Sequence, residues 1–142
     1  MSKPTVMVAL KDTASVDTLV RLACKLAQGM QAELVALHII EVSPGLPLDA
    51  DGDVLDHPGK EILASARQVA LDCCGTEIST QLVRARHAGE AVVGEAKDRG
   101  VELLVVGYHH VGRVEQILLG STAQYVARHA PCRVIVQIPP LP

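Results

Sequence analysis

Short runs of apolar residues recur along the chain, and a segment with helical periodicity separates each run from the next. Most of the runs are rich in β-branched residues and do not alternate with polar ones, a pattern typical of strands covered on both faces. They lie at residues 5–10, 33–42, 78–86, 102–106 and 133–138. The run at 78–86 alternates more than the others, so we predict an edge strand with one wetter face there.

Apolar residues at helical spacing predict helices over residues 16–30, 60–74, 89–99 and 121–129. Strict alternation of strand and helix indicates an α/β fold with a five-stranded parallel sheet and helices on both faces. A length of 142 residues fits one domain spanning residues 1–142. The segment 43–59 is rich in Pro, Gly and Asp and has no period, which predicts a long loop.

Charge and composition narrow the choice of partners. The net charge is −3, there is no basic tract, and aromatic residues make up 1% of the chain, which argues against a nucleic-acid partner. No apolar stretch approaches the ~20 residues that span a bilayer, and no signal peptide opens the chain. We therefore expect a cytoplasmic protein without a membrane partner.

The four cysteines have no CxxC pair and no spacing that suits zinc, which predicts small buried or half-buried apolar side chains. Asp49 to Asp53 resembles a calcium loop, but its Gly comes too early and Lys60 replaces the closing Glu. His38, within an apolar run, is expected to be a core histidine with its hydrogen bonds satisfied. Because no nucleophile is paired with a base and no metal motif is present, we predict no catalytic residues, no metal site and no enzymatic activity.

In sheets of this kind, ligands bind at the carboxyl ends of the strands. Two loops follow such strand ends, at residues 11–15 and 107–120. The second leads into a helix, and Ser121 and Gln124 match a capping box. Gly120 would let a ligand approach the backbone, and the free N–H groups of the next turn would form a phosphate cradle. A capped helix after a surface loop explains the same residues without a ligand. A near match to a Walker A motif at 107–114 is rejected, because Arg113 and Val114 replace its Lys and Ser/Thr.

The chain resembles the universal stress protein family in this same region. The family pattern G-x2-G-x9-G-[ST], followed by a helix and H-A-P-C, is matched by Gly107, His109, Gly120, Ser121 and residues 129–132. The resemblance covers nearly the whole chain and implies strand order 3-2-1-4-5 in a Rossmann-like fold, of the adenine nucleotide alpha hydrolase-like type. It also implies a cytoplasmic homodimer that pairs through the last strand, residues 133–138.

The resemblance further implies a stress-response module that binds ATP or another adenine nucleotide, with or without Mg, and performs no catalysis. Adenine would lie near Ala9, Lys11 and Ile39. The phosphates would lie on Gly107, Gly120, Ser121 and Thr122. Asp12, His109 and His110 complete the nucleotide-binding residues that the resemblance implies.

Two positions depart from the family pattern. His110 replaces its second glycine, and a Cβ there hinders close approach of a phosphate. Lys11 occupies the place of an Asp that contacts the nucleotide, with Asp12 displaced by one residue. An ammonium only donates, so Lys11 cannot accept hydrogen bonds from ribose hydroxyls as an Asp would, but it could pair with a phosphate; a one-residue slip would instead present Asp12. An altered anionic ligand, a dimeric interaction protein without nucleotide, and a slow ATP hydrolase remain the alternatives.

Overall fold

Strands and helices alternate strictly along the chain. The computed structural model describes residues 3–50, 52–108 and 120–139. Their elements, in order, are β1 (Thr5–Ala9), α1 (Val16–Met30), β2 (Glu33–Glu41), α2 (Asp53–Cys74), β3 (Ser79–Ala85), α3 (Ala88–Asp98), β4 (Leu103–Gly107), α4 (Ser121–His129) and β5 (Arg133–Gln137). The bounds of α1 and α4 agree with those predicted from periodicity.

All four strand pairings are parallel, and the order across the sheet is β3-β2-β1-β4-β5. The predicted fold class and strand order are therefore confirmed. β1 lies at the centre and pairs with β2 on one side and with β4 on the other. The chain first builds outward from β1 to β3 and then returns to place β4 on the opposite side of β1. The strand order thus reverses between β1 and β4, and a crevice opens at such a point beyond the carboxyl ends of the strands.

Each face of the sheet carries its own apolar core. One core joins alternate strand residues such as Val6, Val8 and Ala36 to the inner faces of α1 and α2. The other joins the intervening residues, Met7 and Leu37 among them, to the inner faces of α3 and α4. Successive strand residues point to opposite faces, and here both faces are covered. This double burial explains why the central strands are continuously apolar in sequence.

The two outer strands are less buried than the centre. β3 pairs with β2 along one side, and Thr80–Ala85 are half-buried, in agreement with the predicted edge strand. β5 pairs with β4 along one side, and Val134–Gln137 are half-buried as well. Of the helices that the structure describes, none is both long and apolar enough to cross a membrane.

Helix α2 differs from its predicted bounds. The segment 43–59 was expected to be a loop with the helix beginning at Lys60, but α2 begins at Asp53 and contains Pro58. Proline lacks the N–H that an interior helical position donates, so the sequence favoured a later start. Gly59 packs directly against the sheet, because a Cβ there would come within 2.6 Å of Leu82 Cδ1 and 2.8 Å of His38 Cδ2. It is a packing glycine inside a helix and not a turn residue.

Arg84 of β3 stabilises the early start of α2. Its Nε donates to the Asp56 carboxylate at 3.0 Å, inside the first turns of α2. Its remaining N–H groups donate to the carbonyls of Leu48, Ala50 and Gly52. The guanidinium thereby satisfies backbone carbonyls that a solvent-facing loop would leave to water. A contact between residues 28 positions apart decides where the helix begins.

Candidate functional site

A cavity of about 480 Å³ opens at the carboxyl edge of the sheet, where the strand order reverses. Its walls come from the ends of β1, β2 and β4 and from the N-terminal parts of α1, α3 and α4. The lining residues are Ala9, Leu10, Lys11, Ser15, Leu19, Leu37, His38, Ile39, Glu41, Ala88, Val92, Val106, Gly107, Ser121, Thr122 and Ala123. The volume lies within the range of about 300–1,000 Å³ typical of small-molecule sites.

Six of the residues singled out in the sequence line this cavity together. They are Ala9, Lys11, Ile39, Gly107, Ser121 and Thr122. Two others, Asp12 and Gly120, adjoin lining residues in the chain but are not part of the wall. The remaining two, His109 and His110, lie outside the described residues. The predicted strand-end residues and the predicted helix-start residues therefore meet at one crevice.

The first turn of α4 borders the cavity. Gly120 is the N-cap residue, in an extended conformation with φ −60° and ψ 161°, and no side chain in the described part of the protein caps the helix. The predicted capping box is therefore wrong, since Ser121 is the first helical residue and not the cap. Gln124 N–H donates to the Gly120 carbonyl at 2.9 Å, closing the first turn. The amides of residues 121–123 precede that bond, so they have no acceptor within the helix.

Carboxylates distinguish the other helix starts from that of α4. The first turns of α1, α2 and α3 contain Asp17, Asp53 and Glu90, respectively. The first turn of α4 contains no acidic residue. A helix N-terminus carries roughly half a positive charge. At α4 no carboxylate within the turn offsets that charge, and the turn borders the cavity.

The two motif glycines lie in different surroundings. A Cβ on Gly107 would come within 2.8 Å of Leu19 Cδ1, so this glycine allows α1 to pack against the end of β4. A Cβ on Gly120 would meet no described atom within 4 Å, and its φ of −60° is open to any residue. Packing within the protein therefore accounts for Gly107. The described part of the protein gives no such reason for Gly120.

Two charged neighbours, Lys11 and Asp12, follow β1 and have different roles. Lys11 is exposed and lines the cavity. The Asp12 carboxylate accepts the Ser15 N–H at 3.0 Å, and the Ser15 hydroxyl donates to the Asp12 carbonyl at 3.3 Å. Asp12 thus organises the turn that leads into α1. The cavity side of this loop presents a cation, not the alternative carboxylate.

Two polar lining residues come from β2. His38 is 9% exposed, and its Nδ1 lies 2.7 Å from the Leu10 carbonyl oxygen. Since a carbonyl only accepts, Nδ1 carries the proton, and the prediction of a satisfied core histidine is confirmed. Glu41 ends the strand, and its carboxylate accepts the Ala88 N–H of α3 at 3.3 Å.

Sequence reasoning did not assign Glu41 to the site. Its position at the end of β2, the neighbour of β1, was the feature that could have found it. The bond between Glu41 and Ala88 joins residues 47 positions apart.

Three of the four cysteines also come together, away from the cavity. The sulfur atoms of Cys24, Cys73 and Cys74 all lie within 4.8 Å of one another. Cys24 is buried and Cys73 and Cys74 are half-buried, so the prediction of small buried or half-buried side chains is confirmed for these three. The sequence did not predict that they cluster. Their spacing in sequence gave no such indication, because α1 and α2 bring them together.

Comparisons with known proteins point to one family. The family model described as the universal stress protein family matches residues 4–137. A universal stress protein of Methanocaldococcus jannaschii is 32% identical over 120 residues, which cover 80% of this chain and 69% of that protein.

Solved structures show the same fold. A universal stress protein in complex with cAMP is 25% identical, with a TM-score of 0.73, covering 97% of this chain and 98% of that one. One from Archaeoglobus fulgidus in complex with dAMP is 20% identical, with a TM-score of 0.72, covering 95% of this chain and 97% of that one.

Proposed function

Because this chain belongs to the universal stress protein family, we propose that it binds an adenine nucleotide as a regulatory ligand, in the cavity at the carboxyl edge of the sheet. The observation that carries the proposal is the first turn of α4, which has no acidic residue and no cap from a described side chain and borders that cavity. Two proteins of this fold have been solved with cAMP and with dAMP. Both of those ligands combine an adenine base with one phosphate.

The adenine would occupy the apolar part of the cavity. Ala9, Leu37, Ile39 and Val106 line it between the ends of β1, β2 and β4. These side chains offer an apolar wall for a flat heterocycle. Ligand sites commonly combine such walls with a few polar groups that fix orientation. We place the base here because the polar groups lie at the rims, on α4 and at the strand ends.

The phosphate would lie on the N-terminus of α4. The amides of Ser121 and Thr122 precede the first bond of the helix, and Gly120 leaves space for close approach. Backbone N–H groups and the helix dipole together favour an anion at this place. The exposed ammonium of Lys11 lies on the same cavity and supplies a second positive group. A chain with net charge −3 can therefore still bind an anion locally.

Glu41 would take the acceptor role at the ribose. Its carboxylate lines the cavity and already accepts one backbone N–H, that of Ala88. A carboxylate has further lone pairs for ribose hydroxyls, whereas the ammonium of Lys11 has none. We therefore expect Glu41→Gln to weaken ligands with free ribose hydroxyls more than it weakens dAMP, which lacks one of them.

The proposed role is binding without turnover. Among the described lining residues, His38 is the one imidazole, and its Nδ1 proton is held by the Leu10 carbonyl. The neighbouring hydroxyl groups, those of Ser15, Ser121 and Thr122, form no described hydrogen bond to His38. Phosphate release from ATP measured at steady state should remain at the level of a buffer control. Steady release above that level would favour the slow hydrolase instead.

Direct titration tests the proposal. Calorimetry with ATP, AMP, cAMP and dAMP, each with and without Mg, should give saturable heats for at least one adenine nucleotide. GTP and inorganic phosphate serve as controls for the base and for the anion alone. Lys11→Asp should weaken binding if Lys11 pairs with the phosphate, and it should strengthen binding if a ribose contact is restored instead. If no adenine nucleotide gives heat at millimolar concentration, the nucleotide proposal is wrong. The alternative function, an interaction protein that binds no nucleotide, would then stand.

We further propose a homodimer through the last strand. Residues 134–137 of β5 are half-buried at the sheet edge, and Ile138 beyond it is 42% exposed. An apolar edge strand whose other side pairs with no described strand is a surface for pairing with another chain. A second copy of the same strand would cover both the backbone edge and these side chains.

Light scattering at micromolar concentration should give the mass of two chains. Ile138→Lys should shift the protein toward monomer. Leu71→Lys on α2 is the matched control, since Leu71 is similarly exposed at 45% and lies away from β5. A monomeric wild type, or equal effects of the two variants, would contradict this surface.

A further inference from the structure

The cysteine cluster is formed by Cys24 of α1 and by Cys73 and Cys74 at the end of α2. All three thiols are free, and their sulfur atoms lie within 4.8 Å of one another. Those of Cys73 and Cys74 are 2.9 Å apart. With metal–sulfur bonds of about 2.3 Å, three sulfurs around one ion lie roughly 4 Å apart. Small side-chain rotations therefore suffice to place all three sulfurs on one ion.

We propose that the cysteine cluster binds a soft, three-coordinate metal ion of the Cu(I) class. Thiolate sulfur selects soft ions such as Cu(I) and Zn, and geometry decides between them. A structural zinc site uses four protein ligands. In the described part of the chain, the group whose ligand atoms all lie within 4.8 Å of one another consists of these three cysteines, with no His, Asp or Glu among them. Three sulfurs without a fourth protein ligand suit a three-coordinate ion better than zinc.

The surroundings of the cysteine cluster are apolar on one side and open on the other. Cys24 is 2% exposed and belongs to the core between the sheet, α1 and α2. Cys73 and Cys74 pack against that core but are half-buried, so an ion has a path from solvent. The apolar side of the cluster excludes competing water from a bound ion.

Proton balance follows from the state of the free thiols. Burial, and then the neighbouring thiols, raise the pKa of Cys24 to about 12, and burial chiefly raises that of Cys73. Both are therefore neutral S–H groups near pH 7 without a metal. When Cu(I) binds, three S–Cu bonds replace three S–H bonds, and three protons pass to solvent. No electron is transferred, so the step needs no oxidant or reductant.

The cysteine cluster is independent of the proposed nucleotide site. None of its three residues lines the cavity at the carboxyl edge of the sheet. The ion would link the middle of α1 to the end of α2, two helices that cover the same face of the sheet. Because binding to the folded state alone stabilises it, metal loading should also raise the unfolding temperature. That second measurement does not depend on nucleotide.

Anaerobic competition against a chromophoric Cu(I) chelator tests the proposal on the full chain. The wild type should withdraw one Cu(I) per chain, and X-ray absorption at the copper edge should show three sulfur neighbours. Cys73→Ser and Cys24→Ala should each weaken affinity by roughly 100-fold or more, because loss of even an outer-sphere partner commonly costs about 10–100-fold. Cys73 is half-buried, so its variant should fold even if replacement of buried Cys24 does not.

Cys132→Ser is the matched control, since Cys132 is the fourth free cysteine and lies outside the cysteine cluster. It should retain wild-type affinity for Cu(I). Equal loss in the Cys132 and Cys73 variants, or no uptake by the wild type, would overturn the proposal. Tighter binding of Zn(II) than of Cu(I) would overturn the three-coordinate assignment. Thiol counting before loading should give four free thiols, and a lower count would show a disulfide in place of the site.

Discussion

Replacing the two motif glycines separately distinguishes a packing glycine from a ligand-contact glycine. In Gly107→Ala the new Cβ would lie 2.8 Å from Leu19 Cδ1, whereas carbon atoms pack at about 3.5–4.0 Å. Leu19 is 2% exposed but lines the cavity, so relief of this clash would push its side chain toward the cavity. Overpacking of this kind costs about 1–3 kcal/mol. For a chain of this length that corresponds to a fall in Tm of roughly 4–12 °C.

In Gly120→Ala the new Cβ meets no described atom within 4 Å, and the backbone conformation suits alanine. Lower entropy of the unfolded chain stabilises by about 0.4–1 kcal/mol. Alanine is a poorer N-cap than glycine, which lowers the free energy of unfolding by a similar amount, below about 1 kcal/mol. The two effects nearly cancel, so Tm should stay within about 2 °C of wild type. Stability thus gives no reason for glycine at this position.

Nucleotide affinity should respond in the opposite order to stability. A methyl group on Gly120 would hold a phosphate away from the first amides of α4. Loss of one charge-assisted hydrogen bond of about 1.5–3 kcal/mol corresponds to roughly 10–100-fold in affinity. Thermal unfolding by circular dichroism and calorimetry with AMP measure the two quantities on the same samples. If Gly120→Ala binds AMP as tightly as wild type, the phosphate does not lie on α4 and the placement is refuted.

Three further predictions follow from single contacts. Ser121→Ala should leave the unfolding free energy within about 0.5 kcal/mol of wild type, because Ser121 is the first helical residue and Gly120 holds the N-cap position. A loss of about 1 kcal/mol in urea unfolding would show that Ser121 caps the helix after all. Arg84→Met should cost about 2–3 kcal/mol, since it removes charge-assisted bonds to Asp56 and to loop carbonyls. Hydrogen exchange should then speed up over residues 46–56, and unchanged exchange there would contradict the role of Arg84. Burial raises the pKa of the Cys132 thiol above its ordinary 9.0, so its contribution to stability is complete below that pH and declines as pH rises above it. Cys132→Ser should therefore lose stability less steeply above about pH 9 than wild type, and parallel urea-unfolding curves would count against it.

The sequence alone determined the fold class and most of the element bounds. Runs of β-branched residues and segments of helical period depend on neighbours in the chain, so they can be recognised without tertiary contacts. The bounds of α1 and α4 were predicted to the residue, and the edge position of β3 followed from its more alternating pattern. The motif around Gly107, Gly120 and Ser121 indicated the family, and the structure places Gly107 and Ser121 on one cavity.

Only the tertiary structure decided the features that depend on distant residues. The start of α2 at Asp53 rests on Arg84, which lies 28 residues from its partner Asp56. Glu41 reaches the cavity because β2 ends beside β1. The cysteine cluster exists because α1 and α2 pack on the same face of the sheet. In each case the deciding contact joins residues from different elements. Such contacts form only when the burial of both sheet faces fixes how those elements pack.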